Sequence, residues 1–288
     1  MKRHTILTAL LTLCCAGAAL AQEYPAKPIR VINAYAAGGP NDLTLRPIAQ
    51  HLSEVFGQQV VVENKAGANG NIGADFVVRS APDGYTLLFA STSQLTINPA
   101  LYSMPFDAMR DLAPVGAATM NPSVLVINPA LPAGNMKDLV AHARANPGKL
   151  SYASAGNGSV NHLAGELLAM ISKTRLLHVP FSGSGPALNE TVAGRVDMFI
   201  VSPATTLPFV KSGKLKMLMV SAPKRLSFLP DVPTMIEAGL PEFISQSGTG
   251  FLAPAKTPRP AITRFNAELV KYLNSPDGIA KLTALGLQ

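Results

Sequence analysis

The sequence predicts an α/β protein of two lobes, and three observations carry that prediction. Apolar, β-rich runs alternate with helix-period segments along most of the chain. Two widely separated runs end in Gly-rich loops of one plan, INAYAAGGPND at 32–42 and SYASAGNGSVN at 151–161. A chain of 288 residues also exceeds what one compact core usually holds and fits two domains of ordinary size. With 48% apolar and 14% charged residues, the composition is that of a globular protein with a sizeable core.

The N-terminus, MKRHTILTALLTLCCAGAALAQ, joins Lys2 and Arg3 to an apolar stretch closing on Ala19, Leu20 and Ala21, the small-x-small pattern of a signal-peptidase site. The stretch is shorter than the ~20 residues a helix needs to span a bilayer. Residues 1–21 therefore read as a cleaved signal peptide for export, with Gln22 as the mature N-terminus. Cys14 follows Leu13 and Cys15 follows Cys14, so neither has the small preceding residue that lipidation requires. Both leave with the signal, and the mature chain has no thiol for a disulfide or a thiolate metal site. Without Lys2 and Arg3, 22 of the 24 basic residues face 17 acidic ones, a mature charge of about +5. Lys27, Arg30, Lys65, Arg79, Lys211, Lys214 and Lys216 are scattered rather than clustered. That pattern argues against nucleic acid and suits a small anion.

In chain order, strand-like runs fall at 29–35, 59–63, 85–90, 123–127, 150–154, 196–201 and 215–220, and His178 in LLHVPF reads as a further strand residue. The intervening segments LRPIAQHLSEVF, MKDLVAHARAN, HLAGELLAMIS, PALNETVAG and AITRFNAELVKYL have helical period, with Gly57 and Gly194 as left-handed stops. This alternation predicts parallel sheets. Proline is tolerated in the first helical turn, so Pro47 places the first N-cap at Thr44 and frees Asp42 to face the loop. APDGY, ANPGK and LPDVPT are turns, and Thr234 with Glu237 forms a capping box for a short helix ended by Gly239. Boundaries near ATMNPSVLV and LMVSAPKRL divide the chain into 22–121 plus 222–288 as a discontinuous first domain and 122–221 as the second.

A strand feeding a Gly-rich turn into a helix presents free backbone N–H groups and the positive end of a helix dipole, which together attract anions. Each Gly-rich loop here has that form, while a single one would equally serve as a plain tight turn. Ser154 and Ser159 raise the alternative of a secreted serine hydrolase. However, no G-x-S-x-G occurs, and His162 three residues after Ser159 has no local group to orient it. His51, His142, His162 and His178 lack metal-ligand spacing, and neither dinucleotide nor P-loop signature is present, so neither metal nor cofactor is expected.

YPAKPIRVI with AGGPND, then GQQVVVENKAGANGNIGADFVVRSAPDGYTLL, NPALY, PGKLSYASAGNGSVNHLAGELL, HVPFSGSGPAL, LPDVPTMIEAGLPEF and LAPAKTP follow one another in order. This series resembles the periplasmic receptors of tripartite tricarboxylate transporters, the Bug receptors, nearly end to end. The resemblance implies a two-lobed fold of the periplasmic-binding-protein type, type II-like, with two parallel-rich α/β domains joined by two crossing strands. It implies a monomer that holds a small carboxylate between the lobes and delivers it to membrane subunits; a ligand sensor for a membrane signalling partner shares that chemistry. It assigns ligand contacts to Ala36, Ala37, Gly38, Gly39 and Asp42 in the first loop, and to Ser154, Gly156, Asn157, Gly158 and Ser159 in the second. Loops at 91–94, 182–184 and 202–205 add Ser91, Ser93, Ser182, Gly183, Ser202 and Thr205. This chain differs from the usual pattern in Ala37, where proline is common, and in SGTG at 247–250, where a Trp-containing stretch is common. A further helical stretch beyond 288 is also usual in that family.

Overall fold

The computed structural model describes residues 24–287. The expected signal peptide, its cleavage site and both cysteines lie outside the described residues. Ten strands form two five-stranded sheets: β1 (Ile29–Asn33), β2 (Val60–Asn64), β3 (Thr86–Ser91), β4 (Leu112–Pro122) and β10 (Gln246–Pro254) in the first, and β5 (Val124–Ile127), β6 (Ser151–Ser154), β7 (Leu177–Pro180), β8 (Met198–Val201) and β9 (Lys216–Val220) in the second. The orders are β2-β1-β3-β10-β4 and β7-β6-β8-β5-β9. β1 lies parallel between β2 and β3, and β6 lies parallel between β7 and β8. The remaining two strands of each sheet pair antiparallel. The parallel expectation thus holds for three strands of each sheet, and β6 occupies the place in the second sheet that β1 occupies in the first.

Helices cover both faces of each sheet. Leu45, Ile48 and Leu52 of α1 (Pro40–Phe56) and Phe265 and Leu269 of α10 (Arg259–Leu273) pack against Val31, Phe89 and Phe251. On the opposite face Ala74 and Val77 of α2 (Asn71–Val78) meet Ile32, Leu88 and Leu252, and the short α3 (Thr92–Thr96), α4 (Asn98–Leu101) and α5 (Ala108–Asp111) follow β3. In the second sheet the run MFIV of β8 is buried throughout. Met198 and Ile200 face α6 (Met136–Ala145) and α7 (Val160–Ser172), while Phe199 and Val201 face α8 (Ser184–Val192). A strand with two covered faces has no polar side to show, so it reads as a continuous apolar run. α9 (Pro203–Lys211) follows β8, and α11 (Pro276–Ala284) follows α10.

Several local expectations are corrected. β4 and β10 were not expected as strands, because Pro114, Gly116 and Pro122 interrupt one and Gly248, Gly250 and Pro254 the other. β4 is an edge strand, where proline is tolerated, and its register against β10 shifts twice. β1 ends at Asn33 rather than at 35. The first helix starts at Pro40 with Gly39 as N-cap, not at Thr44, and it carries Pro47 inside. Pro40 supplies a preset φ at the first position, the Thr44 hydroxyl donates to the Pro40 carbonyl at 2.8 Å, and burial of Leu45, Ile48 and Leu52 offsets the ~3 kcal/mol an internal proline costs. Thr234 and Glu237 exchange the expected pair of bonds, Glu237 N–H to Thr234 Oγ1 at 3.1 Å and Thr234 N–H to Glu237 Oε2 at 2.8 Å, but they close a turn rather than a helix.

The chain passes from the first sheet to the second at Ser123, between β4 and β5, and returns to the first at β10. Ala222, Leu226, Leu229, Met235 and Phe243 still pack in the second sheet's cores, beyond the expected return at 222. Three serines tie the crossings together. Ser123 N–H donates to the Ser245 carbonyl at 2.9 Å and Ser221 N–H to the Ser123 carbonyl at 2.7 Å. The Ser123 and Ser245 hydroxyls lie 2.9 Å apart.

Candidate functional site

Both Gly-rich loops leave the carboxyl ends of their sheets' corresponding strands, β1 and β6, where parallel α/β sheets hold ligands. In the first loop Gly38 has φ 79, which a side chain would strain, and its N–H donates to Asp42 Oδ2 at 3.2 Å. Asp42 also receives Arg46 Nε at 2.8 Å, Arg46 Nη2 at 3.0 Å and Asn64 Nδ2 at 3.2 Å. Burial opposes ionisation of this carboxyl, yet the Arg46, Gly38 and Asn64 bonds together hold its pKa below the usual carboxylate range. In the second loop Ser159 caps α7: its hydroxyl accepts from His162 N–H at 3.2 Å and donates to the Gly156 carbonyl at 2.7 Å.

The two loops face a narrow cleft of about 50 Å³ between the sheets. Tyr35, Gly39, Pro40, Asn41, Ser91, Ser93 and Ser247 line its first-sheet wall, Ala155, Ser159, Val160, Asn161, Ser184 and Ser202 its second-sheet wall, and Ser123 lies at the crossing. These residues include the starts of α1, α7, α8 and α9. The first N–H groups of a helix have no intrahelical acceptor, and the helix dipole adds positive potential there. No charged side chain is among the lining residues. Two buried polar groups in the lining, Asn41 Nδ2 from the first lobe and Ser202 Oγ from the second, have no hydrogen-bond partner. Buried polar groups are nearly always paired, so two orphans lining one cleft leave bonding capacity there that water or a polar ligand can take up. The Tyr35 hydroxyl is already committed to Ser91 Oγ at 2.8 Å, and burial pushes its pKa up to about 12, so it stays neutral.

Of the residues expected to touch ligand, Gly39, Ser91, Ser93, Ser159 and Ser202 line this cleft. Ala36, Ala37 and Gly183 lie instead at a direct contact between lobes. A Cβ on Gly183 would come within 3.1 Å of the Ala36 Cβ, and one on Gly185 within 2.8 Å of the Ala37 carbonyl oxygen. Gly38 and Asp42 bond to each other outside the lining. Ser154, Gly156, Asn157, Gly158 and Ser182 are also outside it, and the Thr205 hydroxyl donates within its own helix to the Ser202 carbonyl at 3.1 Å. Asn41, Asn161, Ser123 and Ser247 line the cleft without having been singled out. For Asn41 a signal existed, because Pro40-Asn41-Asp42 is a helix-start cluster directly after the paired glycines.

Ser154 Oγ lies 2.6 Å from His178 Nε2, the pairing a hydrolase nucleophile would need. Ser154 is fully buried, however, and its hydroxyl accepts from Gly156 N–H at 3.1 Å, so the pair holds the loop from within. A larger recess of about 470 Å³ lies over β4 and β10. Its lining is mainly apolar, with Ala90, Leu95, Pro114, Val115, Met120 and Leu252. Of its polar side chains Ser91, Thr92, Thr119 and Thr249, the two hydroxyls of Thr119 and Thr249 bond each other, and none is left unpaired as Asn41 and Ser202 are, which makes the smaller cavity the binding candidate.

A family model described as "Tripartite tricarboxylate transporter family receptor" matches residues 44–288. The "UPF0065 protein in tcbD-tcbE intergenic region" of Pseudomonas sp. (strain P51) is 42% identical over 267 residues, covering 92% of this chain and 79% of the relative. A Rhodopseudomonas palustris structure with adipate superposes with a TM-score of 0.90 at 31% identity, covering 92% of this chain and 89% of that one. MatC from Rhodopseudomonas palustris, with bound malate, superposes with a TM-score of 0.86 at 33% identity, covering 92% and 90%.

Proposed function

Because this chain belongs to the tripartite tricarboxylate transporter receptor family, whose members are periplasmic solute-binding receptors and not enzymes, we propose that it captures a small dicarboxylate in the cleft between its lobes and hands it to membrane transport subunits. The observation that carries the reading is the pair of orphaned groups, Asn41 Nδ2 and Ser202 Oγ, one on each wall among four helix starts. Both groups can donate, as carboxylate oxygens require. With no cationic side chain in the lining, the anion is held by N–H dipoles, hydroxyls and amides. Malate and adipate, bound by two relatives, each carry two carboxylates, and a ligand with an anion at each end suits a cleft whose two walls each present helix starts.

In this reading the lobes turn about Ser123, Ser221 and Ser245, where the crossings are bonded together, and ligand joins the walls. The mature receptor is periplasmic, begins at Gln22 and acts as a monomer. The first-loop residues Ala36, Ala37, Gly38 and Asp42 and the second-loop residues Ser154, Gly156, Asn157 and Gly158 shape the site, while Gly39, Ser91, Ser93, Ser159 and Ser202 face the ligand. Calorimetric titration of the mature chain with malate, adipate and their diamides tests the proposal. Saturable binding of at least one acid, with none of its diamide, supports it. Equal binding of acid and diamide overturns the dicarboxylate reading.

A further inference from the structure

Beneath the second anion loop two histidines stack in a way that the cleft itself does not use. His162 on α7 and His178 on β7 have ring centroids 4.1 Å apart and nearly parallel planes, and Tyr152 of β6 also stacks on His178, at 4.9 Å. Each histidine holds the loop at a different atom. Gly158 N–H donates to His162 Nδ1 at 3.1 Å. His178 Nε2 lies 2.6 Å from Ser154 Oγ, which in turn accepts from Gly156 N–H at 3.1 Å. A backbone N–H can only donate, so the His162 ring must be unprotonated at Nδ1, with its proton on Nε2.

From these contacts we propose that His162 and His178 form a pH-sensitive clasp under the second anion loop, holding it in the binding form while neutral and releasing it when the pair takes up a proton. The inference rests on the receptor reading above and names a regulation of that same site. A proton entering at His162 Nδ1 removes the only acceptor atom the ring offers Gly158. The resulting cation sits in the first turn of α7, where the helix dipole disfavours it. Stacking disfavours a second charge, which would face the first across 4.1 Å. Other titratable groups facing the pair are few: Tyr152 from β6, and Glu166 from α7, which accepts the Tyr152 hydroxyl at 2.6 Å. Tyr102 of the first lobe reaches the same loop at the Asn157 carbonyl. Burial, and then His162, push the His178 pKa down to about 4, with Glu166 opposing, in keeping with a His178 ring that is neutral where it meets Ser154. Release of Gly158 loosens the turn that feeds Ser159, Val160 and Asn161 into the cleft wall.

The test pairs ligand binding with a measurement that needs no ligand. Titrating malate and adipate into the full mature chain from about pH 8 down to about pH 4, the value to which His178 is pushed, we expect affinity to fall roughly twofold to tenfold on acidification, the worth of one hydrogen bond. In His162→Gln the side-chain carbonyl accepts the Gly158 N–H at any pH, so the profile flattens; in His162→Leu binding weakens across the whole range. In the ligand-free, 15N-labelled chain the Gly158 amide resonance titrates together with the His162 ring and loses exchange protection as it does so. A Gly158 amide indifferent to His162 titration, or an affinity that rises on acidification and does so equally in His162→Gln, overturns the clasp. A chain that binds neither acid at about pH 8 counts against the dicarboxylate reading alone, because the amide measurement still decides the clasp.

Discussion

Tyr102, carried by the first lobe, donates its hydroxyl proton to the backbone carbonyl of Asn157 in the second. The bond joins the two lobes, so in the proposed opening and closing of the receptor it belongs to the closed state alone. Tyr102→Phe removes it without touching the cleft lining. One partly exposed hydrogen bond contributes about 0.5–1.5 kcal/mol, so the open population rises roughly twofold to tenfold. X-ray scattering of the ligand-free variant should give a larger radius of gyration than the parent. An unchanged radius means that the bond does not help to set the balance between open and closed.

Gly185 separates closure from stability more sharply. It lies in α8, where alanine is a better helix former by as much as ~1 kcal/mol. In the closed form, however, a Cβ there comes within 2.8 Å of the Ala37 carbonyl oxygen on the opposite lobe. Gly185→Ala is therefore expected to keep or raise the melting temperature while weakening ligand affinity at least several-fold. Calorimetry and thermal melting on the same preparation check both halves. A loss of melting temperature together with unchanged affinity would show that the lobe contact is not part of binding.

Stability should also follow the titration of His178. Burial and the neighbouring His162 ring lower its pKa to about 4 from the ordinary 6.5. A group depressed in this way binds its proton less readily in the folded chain than in the unfolded one. Its contribution is therefore complete above about 6.5 and is lost as pH falls from there toward about 4. Urea midpoints measured across that range should decline with acidification, and His178→Gln should flatten the decline. A midpoint independent of pH between those limits contradicts the assignment.

How far these features could be read beforehand depends on how local they are. The two Gly-rich loops were legible because each follows a buried strand and opens a helix within about ten residues, and the equal places of β1 and β6 in the two sheet orders explain why they match. β4 and β10 were not, since the edge position of β4 and the register shifts between it and β10 let Pro114, Gly116, Gly248 and Gly250 stand where period-2 patterning would otherwise show. Ser154 and His178 meet only because β6 and β7 pair in parallel, with Tyr152 opposite His178. Asp42 was legible as a loop-facing carboxylate, but its engagement with Arg46, one turn on, required a helix starting at Pro40, which Pro47 argued against. Asn41 and Ser202 become a site only when both lobes are present.

Those last two residues give the most discriminating prediction. Asn41 Nδ2 and Ser202 Oγ are buried and have no protein partner, and a buried polar group left unsatisfied costs ~1–3 kcal/mol. Replacing either by alanine removes the unsatisfied group along with a little packing. Asn41→Ala and Ser202→Ala should therefore leave the melting temperature of the empty protein within a few degrees of the parent, or raise it. Under the proposed function the same groups gain acceptors from the bound acid, so their loss should weaken binding by roughly tenfold each, the effect of about 1.4 kcal/mol. The two sit on opposite walls and share no protein partner, so the double variant should lose close to the product of the single effects, unless one wall's contact depends on closure brought about by the other. Thermal melting of the empty chains, followed by calorimetric titration with whichever acid the parent binds, separates the cases. Variants that lose stability while empty but bind as tightly as the parent would show that the two side chains support the fold and that the ligand is held elsewhere.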